Sequence, residues 1–385
     1  MGHDYDAVVV GVGGMGSAAV YHLAKRGVDV LGLERYDVPH TRGSSHGDTR
    51  IFRLTQPEHP EYVPLARRAG ELWRELEAES GRTLLTTTGS VHAGPADGDK
   101  VGDAAASCEA HGLDHEVLSS RELTDRFPGY DLPDGHQGVY QPDGGFLACE
   151  RAVATHVTQA HAHGATVRAR EAVKDVTVRE TGVTVRTDRD EYDAGHLVVA
   201  AGAWAGEHLD LLDGALDPQR RVMAWLHPEE PARFAPERFP VFSVDVPEGS
   251  FYGFPVAERP GFKFGRSPDI AESVDPDEWD DEPTIRDEEL LRRLTRNHFP
   301  AADGPTMRLA TCLVTRSVDG HFYLDTHPEY PHVSVAAGFT GHGFKFCSVV
   351  GETLADFVTS GDTDNPIGVH RLDGRLDASV ARSDG

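Results

Sequence analysis

Three glycines and one acid carry the first legible chemistry: Gly11, Gly13 and Gly16 in the run GVGGMG, then Glu34. Gly11 permits a tight turn. Gly13, with Gly14 beside it, lets a pyrophosphate approach the backbone, and Gly16 lets helix and strand pack closely. Amides at the helix N-terminus would face the phosphates, and Glu34 would accept hydrogen bonds from a ribose. An acid at that place repels a 2′-phosphate, which disfavours NADP and leaves FAD or NAD. A second chemistry rests on Lys263. It lies in the apolar stretch PGFKFG of a chain with five lysines, and burying an ammonium group is costly unless it has a use. Arg50 and Arg53 stand three apart in DTRIFR. On a helical turn both would project to similar sides; on sequence alone two solvated surface arginines remain the alternative. The cysteines, Cys108, Cys149, Cys312 and Cys347, show no CxxC spacing, so buried thiols and no metal site are expected.

These groups need a scaffold, and the chain supplies it in alternating pieces. Residues 5–10 (YDAVVV) are a short apolar run, as expected of a strand buried on both faces. Residues 17–26 have helical apolar spacing and stop at Gly27, and residues 28–33 make a second strand that Glu34 closes. Helices are predicted over 62–77, 152–162, 288–297 and 344–359. Strands are predicted over 196–201, 308–315, 321–324 and 333–337. Residues 165–187 alternate like paired strands around Glu180-Thr181-Gly182, and the polar tail after Gly361 is expected to be loosely held. Buried strands followed by glycine occur early, in the middle (197–204) and late (336–346). A return to the nucleotide-binding unit after 300 residues is the layout of a flavoprotein rather than of an NAD enzyme. A helix N-terminus at the last turn would stabilise an anionic reduced flavin.

Composition narrows the functional classes. The chain has 385 residues, 39% of them hydrophobic, enough for a large core. Its net charge of −26 repels phosphate backbones and anionic lipid, so neither nucleic acid nor a membrane surface is an expected partner. No run of about 18 apolar residues suggests a membrane span. No basic leader precedes the first strand, and the expectation is a soluble cytoplasmic protein. Arginine outnumbers lysine 32 to 5 among the basic residues. An acidic, lysine-poor surface fits adaptation to high salt.

Longer motifs then point to a family. HGDTRIFR (46–53), EYVPLA (61–66), YGFP (252–255), Lys263 eleven residues after Tyr252, Cys312 and AAGFTGHGFKF (336–346) resemble the monomeric sarcosine oxidase and N-methyltryptophan oxidase family of flavin-dependent amine oxidases. The resemblance runs from residue 5 to about residue 361. It implies an α/β fold in which a Rossmann-type FAD-binding domain (residues 1–84, 150–217 and 320–385) is interleaved with an α+β substrate domain (85–149 and 218–319) carrying a mixed or antiparallel sheet.

The resemblance also implies roles. Cys312 would bond covalently to the flavin, and Arg50 would lie over one flavin face. Arg53 and Lys345 would grip the substrate carboxylate. Lys263 would stabilise the negative charge that forms when O2 takes electrons. His46, Thr49 and Tyr252 would line the flavin and substrate cavity, and Ser45, Gly341 and Gly343 would contact the cofactor. The implied reaction is oxidation of a secondary, N-methyl or cyclic amino acid by O2, giving an imine that hydrolyses, and H2O2. The partners would be the substrate and O2, and the enzyme a monomer or small homo-oligomer. A D-amino or imino acid dehydrogenase with another electron acceptor, or a flavin-binding subunit of a larger complex, is the alternative. Three pocket positions depart from the sarcosine-type pattern: Ser243, Ser267 and Val314. They favour a substrate bulkier than sarcosine.

Overall fold

The first strand shows how the core is built. In β1 (Tyr5–Val10), Ala7 and Val9 join one hydrophobic cluster and Val8 and Val10 another. Such an unbroken apolar run requires cover on both faces. The structure, a computed structural model, describes residues 3–267 and 272–376.

After β1 come α1 (Gly14–Lys25), β2 (Val30–Glu34), β3 (Thr49–Phe52) and α2 (Tyr62–Ser80). Next are β4 (Leu85–Thr87), β5 (Ser90–Pro95), α3 (Asp99–His111), β6 (Glu116–Ser119), α4 (Ser120–Arg126), β7 (His136–Gln141) and β8 (Gly145–Ala148). The middle holds α5 (Cys149–Ala162), β9 (Thr166–Ala169), β10 (Val173–Val178), β11 (Val183–Thr187) and β12 (Glu191–Val199). Then follow β13 (Leu216–Leu226), β14 (Val241–Val246), β15 (Gly249–Phe254), β16 (Phe262–Arg266), α6 (Ile285–His298) and β17 (Thr306–Ser317). The last elements are β18 (Tyr323–Thr326), β19 (Val333–Ala337) and α7 (Cys347–Ser360).

The first eight-stranded sheet centres on parallel β9, β2, β1, β12 and β19, with the β10–β11 hairpin and β18 added antiparallel. Helices α1, α2, α5 and α7 cover one face, where Trp73, Leu23, Val350 and Leu354 pack. The second sheet runs β17-β13-β16-β15-β14-β5-β7-β6 and is antiparallel except where β14 meets β5. Its outer face carries an aromatic core: Phe242, Phe251, Phe262 and Phe264 pack with Leu291, Leu294 and Phe299 of α6 and the turn after it. A third, three-stranded sheet runs β3-β8-β4. The fold is therefore α/β with mixed and antiparallel sheets.

Four expectations need correction. Residues 49–52 form a strand, not a helical turn, because they pair antiparallel with Gly145–Ala148. Only β10 and β11 of residues 165–187 form a hairpin; β9 pairs parallel with β2 instead. The strand expected over 321–324 begins two residues later, after a turn at Val318 and Asp319. The tail up to residue 376 is tied down. His370 and Leu372 are buried, Arg371 pairs with Asp325 at 2.7 Å, Arg375 pairs with Asp319 at 2.7 Å, and the Val369 amide donates to Glu61 at 2.9 Å. Its polar residues are spent on ion pairs rather than on water. Residues 377–385 lie outside the described residues.

Candidate active site

The nucleotide end is made by backbone. Gly11 has φ +89°, and a Cβ there would stand 2.6 Å from the Ala200 carbonyl. A Cβ on Gly16 would stand 1.8 Å from the Gly11 carbonyl, so this glycine sets the approach of α1 to β1. Gly13 meets nothing closer than Ser45 Oγ at 3.8 Å, which leaves its face open to the cavity. As the N-cap of α1 it brings no side chain over the helix amides. The Gly14 amide donates to Ser45 Oγ at 3.1 Å. The Glu34 carboxylate is aimed by two amides, Val12 N at 2.9 Å and Tyr36 N at 3.0 Å, and its remaining lone pairs can accept hydroxyl groups.

The second sheet supplies a wall of side chains. Strand residues alternate between faces, and opposite the aromatic core stand Cys312 on β17, Arg221 and Met223 on β13, Lys263 and Gly265 on β16, Tyr252 and Phe254 on β15, Ser243 on β14 and His92 on β5. Register ties them in a row: Cys312 faces Arg221, Met223 faces Gly265, Gly265 faces Tyr252, Tyr252 faces Ser243, and Ser243 faces His92. Gly265 makes room for the Tyr252 ring, whose hydroxyl would lie 2.5 Å from a Cβ at 265. Burial pushes the Tyr252 phenol up to about 12 and raises the Cys312 thiol as well.

Lys263 is 2% exposed. Its Nζ donates to the Thr49 carbonyl at 2.6 Å and approaches Thr49 Oγ1 at 3.1 Å, 4.2 Å from the Phe254 ring centre. Among the described residues no carboxylate pairs with it. Burial, then the charge of Arg50, lower its pKa well below the ordinary lysine value. Arg50 likewise rests on carbonyls, donating to Ser44 O at 2.7 Å and to Thr49 O at 3.0 Å. Two basic side chains, with no acid partner among the described residues, thus share the Thr49 carbonyl, a setting that favours negative charge nearby.

The second cationic group lies beside the late turn. Arg53 contacts His92 Nε2 at 2.9 Å and forms an ion pair with Glu58. Lys345 Nζ donates to the His342 carbonyl at 2.6 Å, and its own carbonyl accepts from Trp73 Nε1 at 2.9 Å. Burial and then Arg53 lower the Lys345 pKa. Burial alone would raise the Glu58 carboxyl, but Arg53, His342 and Lys345 together hold it below its ordinary value. A carboxylate of the chain itself is therefore already stabilised by this group. Burial, reinforced by Arg53 and Lys100, keeps His92 neutral.

One cavity of about 760 Å³ joins both ends, from Gly11 and Glu34 to Lys345 and Ser243. That volume is in the class of cofactor and ligand sites, roughly 300–1,000 Å³. Lining it are Gly11, Gly13, Gly14, Glu34, Ser45, Arg50, Arg53, Tyr252, Cys312, Gly341, Gly343 and Lys345, and also the three departing positions Ser243, Ser267 and Val314. Gly16, His46, Thr49 and Lys263 do not line it. Lys263 and Thr49 border a water-sized recess behind the wall, and His46 is buried with neither ring nitrogen bonded. Burial and Arg50 lower the His46 pKa to about 3. The cavity fits a flavin dinucleotide on its own terms: an open glycine cradle at one end, and at the other the buried Thr315 Oγ1 and His342 Nδ1, both lining it and both without a partner. Sequence patterns alone assign no role to Glu58, His92 or Lys100. The scarcity of lysine was the one signal available for Lys100.

Comparison with known proteins agrees with this arrangement. A family model for FAD dependent oxidoreductases matches residues 6–357. The chain is 41% identical over 377 residues to a monomeric sarcosine oxidase from Bacillus sp. (strain NS-129), with 97% of each chain covered. It is 33% identical over 356 residues to an N-methyl-L-tryptophan oxidase from Salmonella dublin, covering 92% of this chain and 94% of that one. The open form of NikD, an unusual amino acid oxidase essential for nikkomycin biosynthesis, superposes with a TM-score of 0.84 at 29% identity over 95% of this chain and 97% of that one.

Proposed function

The chain belongs to the FAD dependent oxidoreductase family, and from that premise we propose that it oxidises secondary amino acids, N-methylated or cyclic, with O2 as electron acceptor. The observation that carries this reading is the grouping of Arg53, Lys345, Arg50 and Cys312 around one cavity that begins at the dinucleotide turn, with Lys263 behind its wall. FAD, held by the turn at Gly11 and Gly13 and by Glu34, would supply the acceptor for the electron pair that leaves the carbon beside nitrogen and the route by which that pair, with two protons, reaches O2 as H2O2.

The chain's own residues do the rest. Arg53 and Lys345 take the substrate carboxylate in place of Glu58, which orients the amine over the wall formed by Tyr252 and Phe254. Arg50 and Lys263 provide positive charge where negative charge develops, and the enclosure of both in a low-dielectric wall makes that charge effective. The iminium product leaves to react with water, giving an aldehyde or keto acid and an amine. Cys312 is the residue we assign to a covalent flavin link, supported by its place in the cavity wall, where the charges of Arg50, Lys263 and Arg221 oppose the upward push of burial on its thiol. Four unpaired cysteines support a reducing compartment, the cytoplasm. Among the described residues no helix is long and apolar enough to cross a membrane. The names of the sarcosine oxidases support a monomer.

An H2O2-coupled screen of N-methyl and cyclic amino acids tests the reading. One H2O2 per amine oxidised is expected, with yellow colour that stays with acid-precipitated wild type and is released from Cys312→Ala. Flavin that no secondary amino acid bleaches under anaerobic conditions would remove the proposal.

A further inference from the structure

Beyond Tyr252 the wall turns polar. Ser243 is in register with Tyr252 on one side and with His92 on the other, and Ser243, His92, Lys100 and Ser267 all line the cavity. Lys100 sits in the first turn of α3 and reaches across to β14. Its Nζ donates to Asp245 Oδ1 at 2.6 Å and to Ser243 Oγ at 3.1 Å. Asp245 is also bonded by Ser250 Oγ and does not line the cavity; it stands two residues beyond Ser243 on the same face of β14 and anchors the ammonium group there.

Donor counting shows what this corner offers. An ammonium has three N–H donors and no acceptor, and two of those of Lys100 are committed. Ser243 Oγ accepts from Lys100, so its own O–H is left to donate. The neighbouring His92 is held neutral, and Arg53 leans on it at 2.9 Å. The corner is thus rich in donors and poor in acceptors. Its basic groups, Lys100, Arg53 and Lys345, outnumber the two carboxylates beside them, Asp245 and Glu58, in a chain whose net charge is −26. Two of the five lysines, Lys100 and Lys345, stand near His92 at this end of the cavity. From His92, where the carboxylate grip ends, to Ser243 is one strand spacing, roughly 5 Å, the reach of a side chain of two or three carbons.

We infer that Lys100 and Ser243 form the side-chain subsite, and that the substrate is a secondary amino acid whose side chain ends in a hydrogen-bond acceptor, a carboxylate or a carboxamide. This rests on the amino-acid oxidase reading above and narrows its substrate. An acceptor at that place bonds the free donors of Lys100 and Ser243. An apolar side chain of the same shape strips water from both and returns nothing, the situation in which a site discriminates most strongly. The same argument accounts for Ser243: a larger apolar residue would fill the wall and remove one donor.

Racemic N-methylaspartate, N-methylasparagine and N-methylleucine have nearly the same shape and separate the possibilities. Their kcat/KM values are measured by O2 uptake, and anaerobic flavin bleaching is followed in the same series. The two acceptor-bearing substrates are expected to exceed N-methylleucine by tenfold or more. Lys100→Met is expected to bring that ratio to within about twofold, Lys100→Arg to preserve most of it, and Ser243→Ala to lower it at least threefold should the lysine variant fail to fold. Equal turnover of all three by the wild type, or an unchanged ratio in both Lys100→Met and Ser243→Ala, overturns the subsite while leaving the oxidase reading in place. Failure of all three, and of every N-methyl and cyclic amino acid in the screen above, to bleach the flavin overturns the oxidase reading itself.

Discussion

The two eight-stranded sheets serve the same cavity by opposite means. The first meets it with backbone: the Gly11 turn, the open Gly13 face and the start of α1, with Glu34 as the main side-chain contribution. The second meets it with side chains, one row from Cys312 to His92 projecting from a single face. A backbone site tolerates no added atoms but asks little of its neighbours. A side-chain site tolerates redesign, because each group stands on its own strand and the aromatic core behind it is untouched. Binding of a common cofactor suits the former, and choice of substrate suits the latter.

The sharpest way to break this contrast is to add one methyl group to the first sheet. Gly16→Ala places a carbon 1.8 Å from the Gly11 carbonyl, and neither partner is a flexible side chain. A loss of about 3 kcal/mol or more is expected, seen as colourless or insoluble protein in place of a flavoprotein. On the second sheet, Lys263→Met removes a charge and keeps the volume. The protein is expected to stay folded and its flavin reducible by substrate, while reoxidation by O2 slows by roughly 100-fold or more; an unchanged rate in stopped flow would take Lys263 out of the reaction with O2.

A milder probe titrates the grip. Burial and Arg53 depress Lys345 in the free site, and an arriving carboxylate favours its charged form. Above the free-site pKa, binding must therefore take up a proton. Affinity for a small carboxylate such as benzoate is expected to be full at low pH and to weaken as pH rises, by at most about tenfold per unit. Lys345→Met should flatten that slope, and an equal slope in the variant would assign the effect elsewhere.

What could be read before folding follows the same division. The turn at 11–16 and Glu34 are legible because the geometry of a strand, a turn and a helix is local and dictates residue types in order. Lys263 is legible because it is rare and sits among aromatic residues. Glu58 is not, since nothing in TQPEHP distinguishes an acid bound to Arg53 from one bound to water. His92 is one of 21 histidines. Lys100 begins a helix in the polar run DGDK, and its partners lie 143 and 145 residues further on. Four residues, 49–52, are too few to separate a period of two from one of 3.6; pairing with β8 decided it. The tail misled for a related reason, because composition does not reveal which charges find counter-ions.

That tail has a practical meaning. The Val369 amide holds Glu61, the residue that opens α2 and stands three positions after the acid lodged on Arg53. Trimming the chain back to Gly361, harmless by polarity alone, would untie the turn that delivers this acid. This segment thus steadies the turn that carries Glu58 to Arg53, and anyone shortening or immobilising the enzyme should leave it attached.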